Sequence, residues 1–151
     1  MKKTERIGMV RRVVDDIERR KAQALAACEQ SVLAAQAKLD ELEAYRAAYV
    51  RDFARRAESG MSGAGVREYQ VFLTRLEEAL RQQAQILSQA RLQRSTELES
   101  WRNAARRAAA VGNLASHWQV EEQRAVDRLE QKESDERSQQ LWSRRSVAHG
   151  S

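Results

Sequence analysis

The side chains best equipped for chemistry are few in this chain, and their spacing does not bring them together. The only histidines are His117 and His149, and the single cysteine is Cys28. No second Cys or His stands at a metal-ligand spacing from any of them, so no metal site is expected. One thiol cannot form an intrachain disulfide, and Cys28 among alanines reads as a small packing residue. The stretch Ser59-Gly60-Met61-Ser62-Gly63-Ala64-Gly65 is glycine-rich. It lacks the Lys-Ser or Lys-Thr pair of a phosphate loop and follows a helical pattern, not a strand. The many carboxylates alternate with arginines on what read as solvated faces, where nothing tunes a pKa. No cofactor and no catalytic residue is expected, and the chain reads as a binding protein.

The elements that would have to position a site point the same way. The 151-residue sequence has no proline, 32% charged residues and 5% aromatic residues. Strong helix formers at this density, with little bulk for a thick core, indicate long helices or a coiled coil. The glycine cluster is the one strong break, and it separates two periodic segments. The fold expected is all-α: a long antiparallel two-helix coiled coil, or helical hairpin, with a C-terminal helical overhang. A two-helix hairpin has almost no interior in which a catalytic pocket could be built.

Helix 1 is expected over about 4–58, capped by Thr4, with Ile7, Val10, Val14, Ile17, Leu25, Cys28, Val32, Ala35, Leu39, Leu42, Tyr45, Tyr49 and Phe53 along its seam. Polar Lys21 fills one slot. The steps of three and four imply a shallow left-handed supercoil. Asp15–Arg19, Asp16–Arg20 and Asp52–Arg56 are spaced as i,i+4 ion pairs, each able to add about 0.3 kcal/mol. The turn takes 59–65. Helix 2 is expected over about 66–143, with Val66, Tyr69, Leu73, Leu76, Leu80, Leu87, Ala90, Leu98, Trp101, Ala105, Ala108, Val111, Ala115 and Trp118 facing back. These form a single domain, 1–143, and 144–151 reads as a disordered tail. At about 1.5 Å per residue the helices would span about 80 Å and about 115 Å. A turn near residue 62 sets residue 5 opposite residue 118 or so, which leaves the charge-rich stretch after 119 without a partner from its own chain. Gly112 interrupts helix 2 and reads as a tolerated defect, the alternative being a joint near the open end.

Surface features carry more information than motifs. Once Tyr69, Leu73, Leu76 and Leu80 are assigned to the seam, Val71, Phe72 and Ala79 remain on an adjoining face. Leu42, Tyr45 and Tyr49 answer them on helix 1. The apolar band beside the turn is wider than a two-helix seam needs, which marks either a partner site or aromatics that seal the hairpin end. Arg51, Arg55, Arg56 and Arg75 surround it, and Arg102, Arg106 and Arg107 lie farther along helix 2. Arginine suits carboxylate recognition, although such runs are commonly just a solvated face. The net charge of +5 comes from 27 basic and 22 acidic residues interspersed along the chain, whereas a nucleic-acid-binding region would concentrate its positive charge. No apolar run is long enough to cross a bilayer, so no membrane insertion is expected. The basic start, Met1 to Arg6, has no apolar segment after it, so no secretory signal is read and a cytoplasmic location is expected.

Three stretches resemble the FliJ family, the small component of the bacterial flagellar type III export apparatus. They are Lys38-Leu39-Asp40-Glu41-Leu42-Glu43-Ala44-Tyr45-Arg46-Ala47-Ala48-Tyr49 before the turn, and Tyr69-Gln70-Val71-Phe72-Leu73-Thr74-Arg75-Leu76-Glu77-Glu78-Ala79-Leu80 after it. The third is Glu99-Ser100-Trp101-Arg102 leading on to Leu129-Glu130-Gln131-Lys132-Glu133-Ser134-Asp135-Glu136. Their order and spacing cover nearly the whole chain. The resemblance implies a non-enzymatic antiparallel coiled coil similar to the central stalk of rotary ATPases. Implied partners are the hexameric export ATPase, the cytoplasmic domain of the membrane export gate, and export chaperones. The implied location is the cytoplasm, with peripheral association at the inner membrane through the export apparatus. The positions matching the family's gate-binding residues are Leu42, Tyr45, Tyr49, Phe72, Leu76 and Ala79, which is the band already singled out. Lys38 and Gln83 flank it with no role implied. The open end and the overhang after 119 are candidates for the ATPase pore by architecture alone. The alternatives are the equivalent stalk of a virulence secretion system, which a motility assay separates, and a basic coiled coil binding nucleic acid, which a gel shift would reveal. A self-associating scaffold, tested by light scattering, is the third.

Overall fold

The computed structural model describes residues 2–149, His149 by its backbone alone. Two helices account for the described chain, α1 (Lys3–Ser59) and α2 (Gly63–His149), in the order the glycine cluster predicts. Gly60 ends α1: its φ of +94° is a left-handed conformation that a Cβ would oppose, and its N–H donates to the Ala57 carbonyl at 3.2 Å. Ser62 starts α2 by accepting the Gly65 N–H on its hydroxyl at 3.0 Å. The connection is therefore shorter than the 59–65 read from sequence. At the other end of α1, Thr4 lies inside the helix and is not its cap, because the Lys2 carbonyl already accepts the Arg6 N–H at 3.1 Å.

The chain divides into two compact units. The first to describe, Glu18–Ala104, holds the turn. Its seam centres on Val32, Ala35 and Leu87, with Leu39 and Ala90 packed against them, and Leu76 is also buried. Polar side chains occupy seam slots where the periodic reading looked for apolar ones. Trp101 Nε1 donates to Glu18 Oε1 at 2.8 Å, Gln83 Nε2 to the Ala35 carbonyl at 3.0 Å, and Arg46 Nη2 to Glu77 Oε1 at 3.2 Å. Each polar head finds a cross-helix partner while its stem covers apolar surface, so these slots leave no buried group unsatisfied.

The second unit, Met1–Ile17 with Ala105–Ser151, holds both chain ends. Ile7, Val14 and Ala115 are its buried residues. Val10 and Ile17, placed in the seam by sequence, are instead exposed. Arg11 takes the slot between Ile7 and Val14, because an unbroken alternation of four and three steps runs Ile7, Arg11, Val14. Its guanidinium lies over Gly112, 3.8 Å from where a Cβ would stand there. It pairs weakly with Asp15 at 4.0 Å, the partner being Arg11 and not the expected Arg19, whereas Asp52 and Arg56 do pair at 3.2 Å. Lys3 Nζ sits 4.1 Å from the Trp118 ring centre, and Lys2 reaches Glu122 at 3.5 Å. Pairing between the helices thus extends to Glu122, slightly beyond the expected 119, and residues 123–148 are exposed throughout. The helix also continues over 144–149, where sequence reading expects a tail. Arg144, Arg145 and Ala148 are helix formers, and no glycine interrupts them before Gly150. The last two residues of that expected tail lie outside the described residues.

Gly112 is not required by its surroundings. It is helical, and its nearest neighbour is at ordinary contact distance. Gly112→Ala is therefore expected to raise the unfolding free energy by about 1 kcal/mol, measured by urea denaturation, because alanine gives up less backbone entropy on folding.

Candidate functional site

Five aromatic rings gather in the turn unit. Phe53 stacks on Tyr69 with centroids 3.7 Å apart, and Tyr69 stacks on Tyr49 at 4.8 Å and 6°. Tyr49 meets Phe72 at 4.5 Å, and Phe72 meets Tyr45 edge-on at 6.1 Å. Tyr45 and Tyr49 are one helical turn apart on α1, at 6.4 Å. The rings come from both helices, so the hairpin must close for them to meet. Seam positions supply Tyr49, Phe53 and Tyr69, which are half-buried. Tyr45 and Phe72 occupy a flank of the seam and remain exposed, at 53% and 38%.

The structure therefore separates the six singled-out residues into two kinds. Leu76 is buried in the seam, and Leu42, Tyr49 and Ala79 are half-buried. Tyr45 and Phe72 are the members with substantial free surface. Val71, 53% exposed, adds to it. An open concavity of about 620 Å³ runs alongside, lined by Tyr49, Val71 and Phe72 with Arg67 and Arg75 at its edge. Arg67 was not singled out from sequence. The signal was present, since Arg67, Val71 and Arg75 recur every fourth residue on α2 and share a face.

Part of the charge around the band is paired. Arg46 crosses from α1 to Glu77, and Arg81 donates to Glu78 at 2.6 Å through Nη2. That hydrogen bond, with the charge of Arg81, holds the Glu78 carboxyl below its ordinary range. Both groups are solvated, so the pair affects local charge more than stability. Among the described residues no group of three or more His, Cys, Asp or Glu is placed to hold a metal ion. No described helix is long and apolar enough to cross a membrane. What this arrangement offers a ligand is a rigid aromatic surface bordered by guanidinium groups. That combination recurs where binding energy concentrates in protein–protein contacts.

A family model described as Flagellar FliJ protein matches residues 2–146. No curated protein and no solved structure matches the chain.

Proposed function

The chain belongs to the FliJ family, and from that premise we propose that it is a non-enzymatic stalk of the flagellar protein-export apparatus. In this reading the hairpin binds the export gate through the aromatic face beside its turn and the hexameric export ATPase through its open end. Export chaperones are further partners. The chain works in the cytoplasm, held at the inner face of the membrane by these contacts. The observation that carries the reading is the aromatic face: Tyr45, Phe72 and Val71 present apolar surface that the hairpin seam does not use. The open end bears mixed charge suited to weak, reversible contacts. Over residues 2–17 and 105–122 seven lysines and arginines stand beside five aspartates and glutamates.

Contacts of that second kind are weak, solvated and screened within about 8–10 Å at physiological salt. Stimulation of the ATPase ring by the chain is therefore expected to decline steadily as sodium chloride is raised in a steady-state hydrolysis assay. Stimulation that holds constant across the titration would remove the electrostatic part of the reading.

A further inference from the structure

The unit holding the chain ends carries an apolar face that its own seam does not need. Met9, Val10, Val13 and Ile17 are all exposed, Val13 at 58%, while Ile7, Arg11 and Val14 occupy the seam. The register fixed by Arg11 over Gly112 brings exposed Leu114 of α2 level with Met9 and Val10. In an antiparallel pair Leu114 also falls on the flank that Val10 occupies. Arg6 and Arg107 border this face.

The same unit carries a surface of opposite character. Over residues 123–148 α2 is exposed throughout and, among the described residues, packs on nothing from α1. Its first turns present Ala125, Val126 and Leu129, the last 60% exposed. Residues 125–136 hold five acidic and two basic side chains. A lone helix of this composition is marginal in water and gains from a partner. Because α2 is helical without interruption from Gly63 to His149, this segment cannot fold back onto the face of its own chain.

We propose that the overhang of one chain packs on the Met9–Val10–Val13–Leu114 face of a second copy, and the reverse, giving a two-fold dimer. Apolar stripe meets apolar stripe, and the acidic border of one meets the basic border of the other. Both halves of the contact lie on one sequence, which is why a second copy is the occupant. The geometry closes. Val13 stands level with about Val111 of its own α2, so seating Leu129 of the partner there brings the two copies of Val120 together at the symmetry axis. Val120 is 49% exposed, and an exchange of this kind satisfies both sites and stops at two chains. On the reading given above, such a dimer covers the open end and competes with ring binding, but its existence does not depend on that reading.

The test is sedimentation equilibrium of the full chain, alone and as the variants Val13→Glu and Leu129→Glu. Wild type is expected to reach twice the chain mass of 17.3 kDa as concentration rises. Each variant is expected to remain monomeric and to lose no more helical circular dichroism than the unpartnered overhang accounts for, since both positions are exposed. Mixing the two variants restores one intact contact and with it a heterodimer. If glutamate lowers helicity beyond that at either position, Val13→Ser and Leu129→Ser serve in its place. A wild-type monomer at every concentration, a dimer indifferent to Leu129→Glu, or assembly beyond two chains would overturn the proposal.

Discussion

Replacing Tyr45 and Phe72 together by alanine is expected to weaken binding to the gate's cytoplasmic domain by about 10- to 100-fold while the hairpin stays folded. The two rings touch each other edge-on at 6.1 Å, and both keep surface available to a partner. Aromatic anchors of this kind commonly contribute about 2 kcal/mol or more to a contact. The hairpin itself loses the three ring contacts these side chains make with each other and with Tyr49, about 0.5–1.5 kcal/mol for each. Tyr49, Phe53 and Tyr69 stay stacked across the helices without them. Isothermal titration supplies the affinity and thermal circular dichroism the stability. Unchanged affinity with a sharply lowered melting temperature would assign the rings to sealing the hairpin end and remove them from the interface.

The largest effect on stability is expected at Leu87. It is 5% exposed and sits in the cluster of Val32 and Ala35, with Leu39 and Ala90 against it. Leu87→Ala removes those contacts and leaves a space that a two-helix seam refills only in part, lowering the unfolding free energy by about 2–4 kcal/mol. Its neighbour Ile86 is 52% exposed, so Ile86→Ala is expected to change stability by no more than about 0.5 kcal/mol. Urea denaturation of the two variants compares one residue inside the seam with one outside it. Equal losses would mean that the helices do not pair in this register.

Much of this fold is legible in the sequence because its signals are local. The glycine cluster marks the reversal, the absence of proline permits long helices, and Tyr69, Leu73, Leu76 and Leu80 state the period beside the turn. The seam was less legible where polar residues occupy it. Reading by hydrophobicity steps to Val10 and Ile17, but the helices meet at Arg11 and close to Glu18. The stems of those side chains are apolar, and the partners that satisfy their heads, such as Trp101 for Glu18, lie on the other helix. Nothing near Glu18 in sequence announces Trp101. The end of α2 was missed for a different reason. Sequence reading carries the helix past its apolar stripe to about residue 143 and expects a disordered tail from 144, but backbone propensity extends the helix to His149. The aromatic band was visible as an excess of apolar residues. Its division into buried Leu76 and exposed Tyr45 and Phe72 required the register of both helices.

The central claim is that this hairpin joins two components of one export machine. Co-purification of the unsubstituted chain with the hexameric export ATPase and with the gate's cytoplasmic domain tests it most directly. The expected result is that each partner is retained separately and that loss of Tyr45 and Phe72 releases the gate domain alone. Retention of neither partner, or release of both by the same substitution, would contradict it.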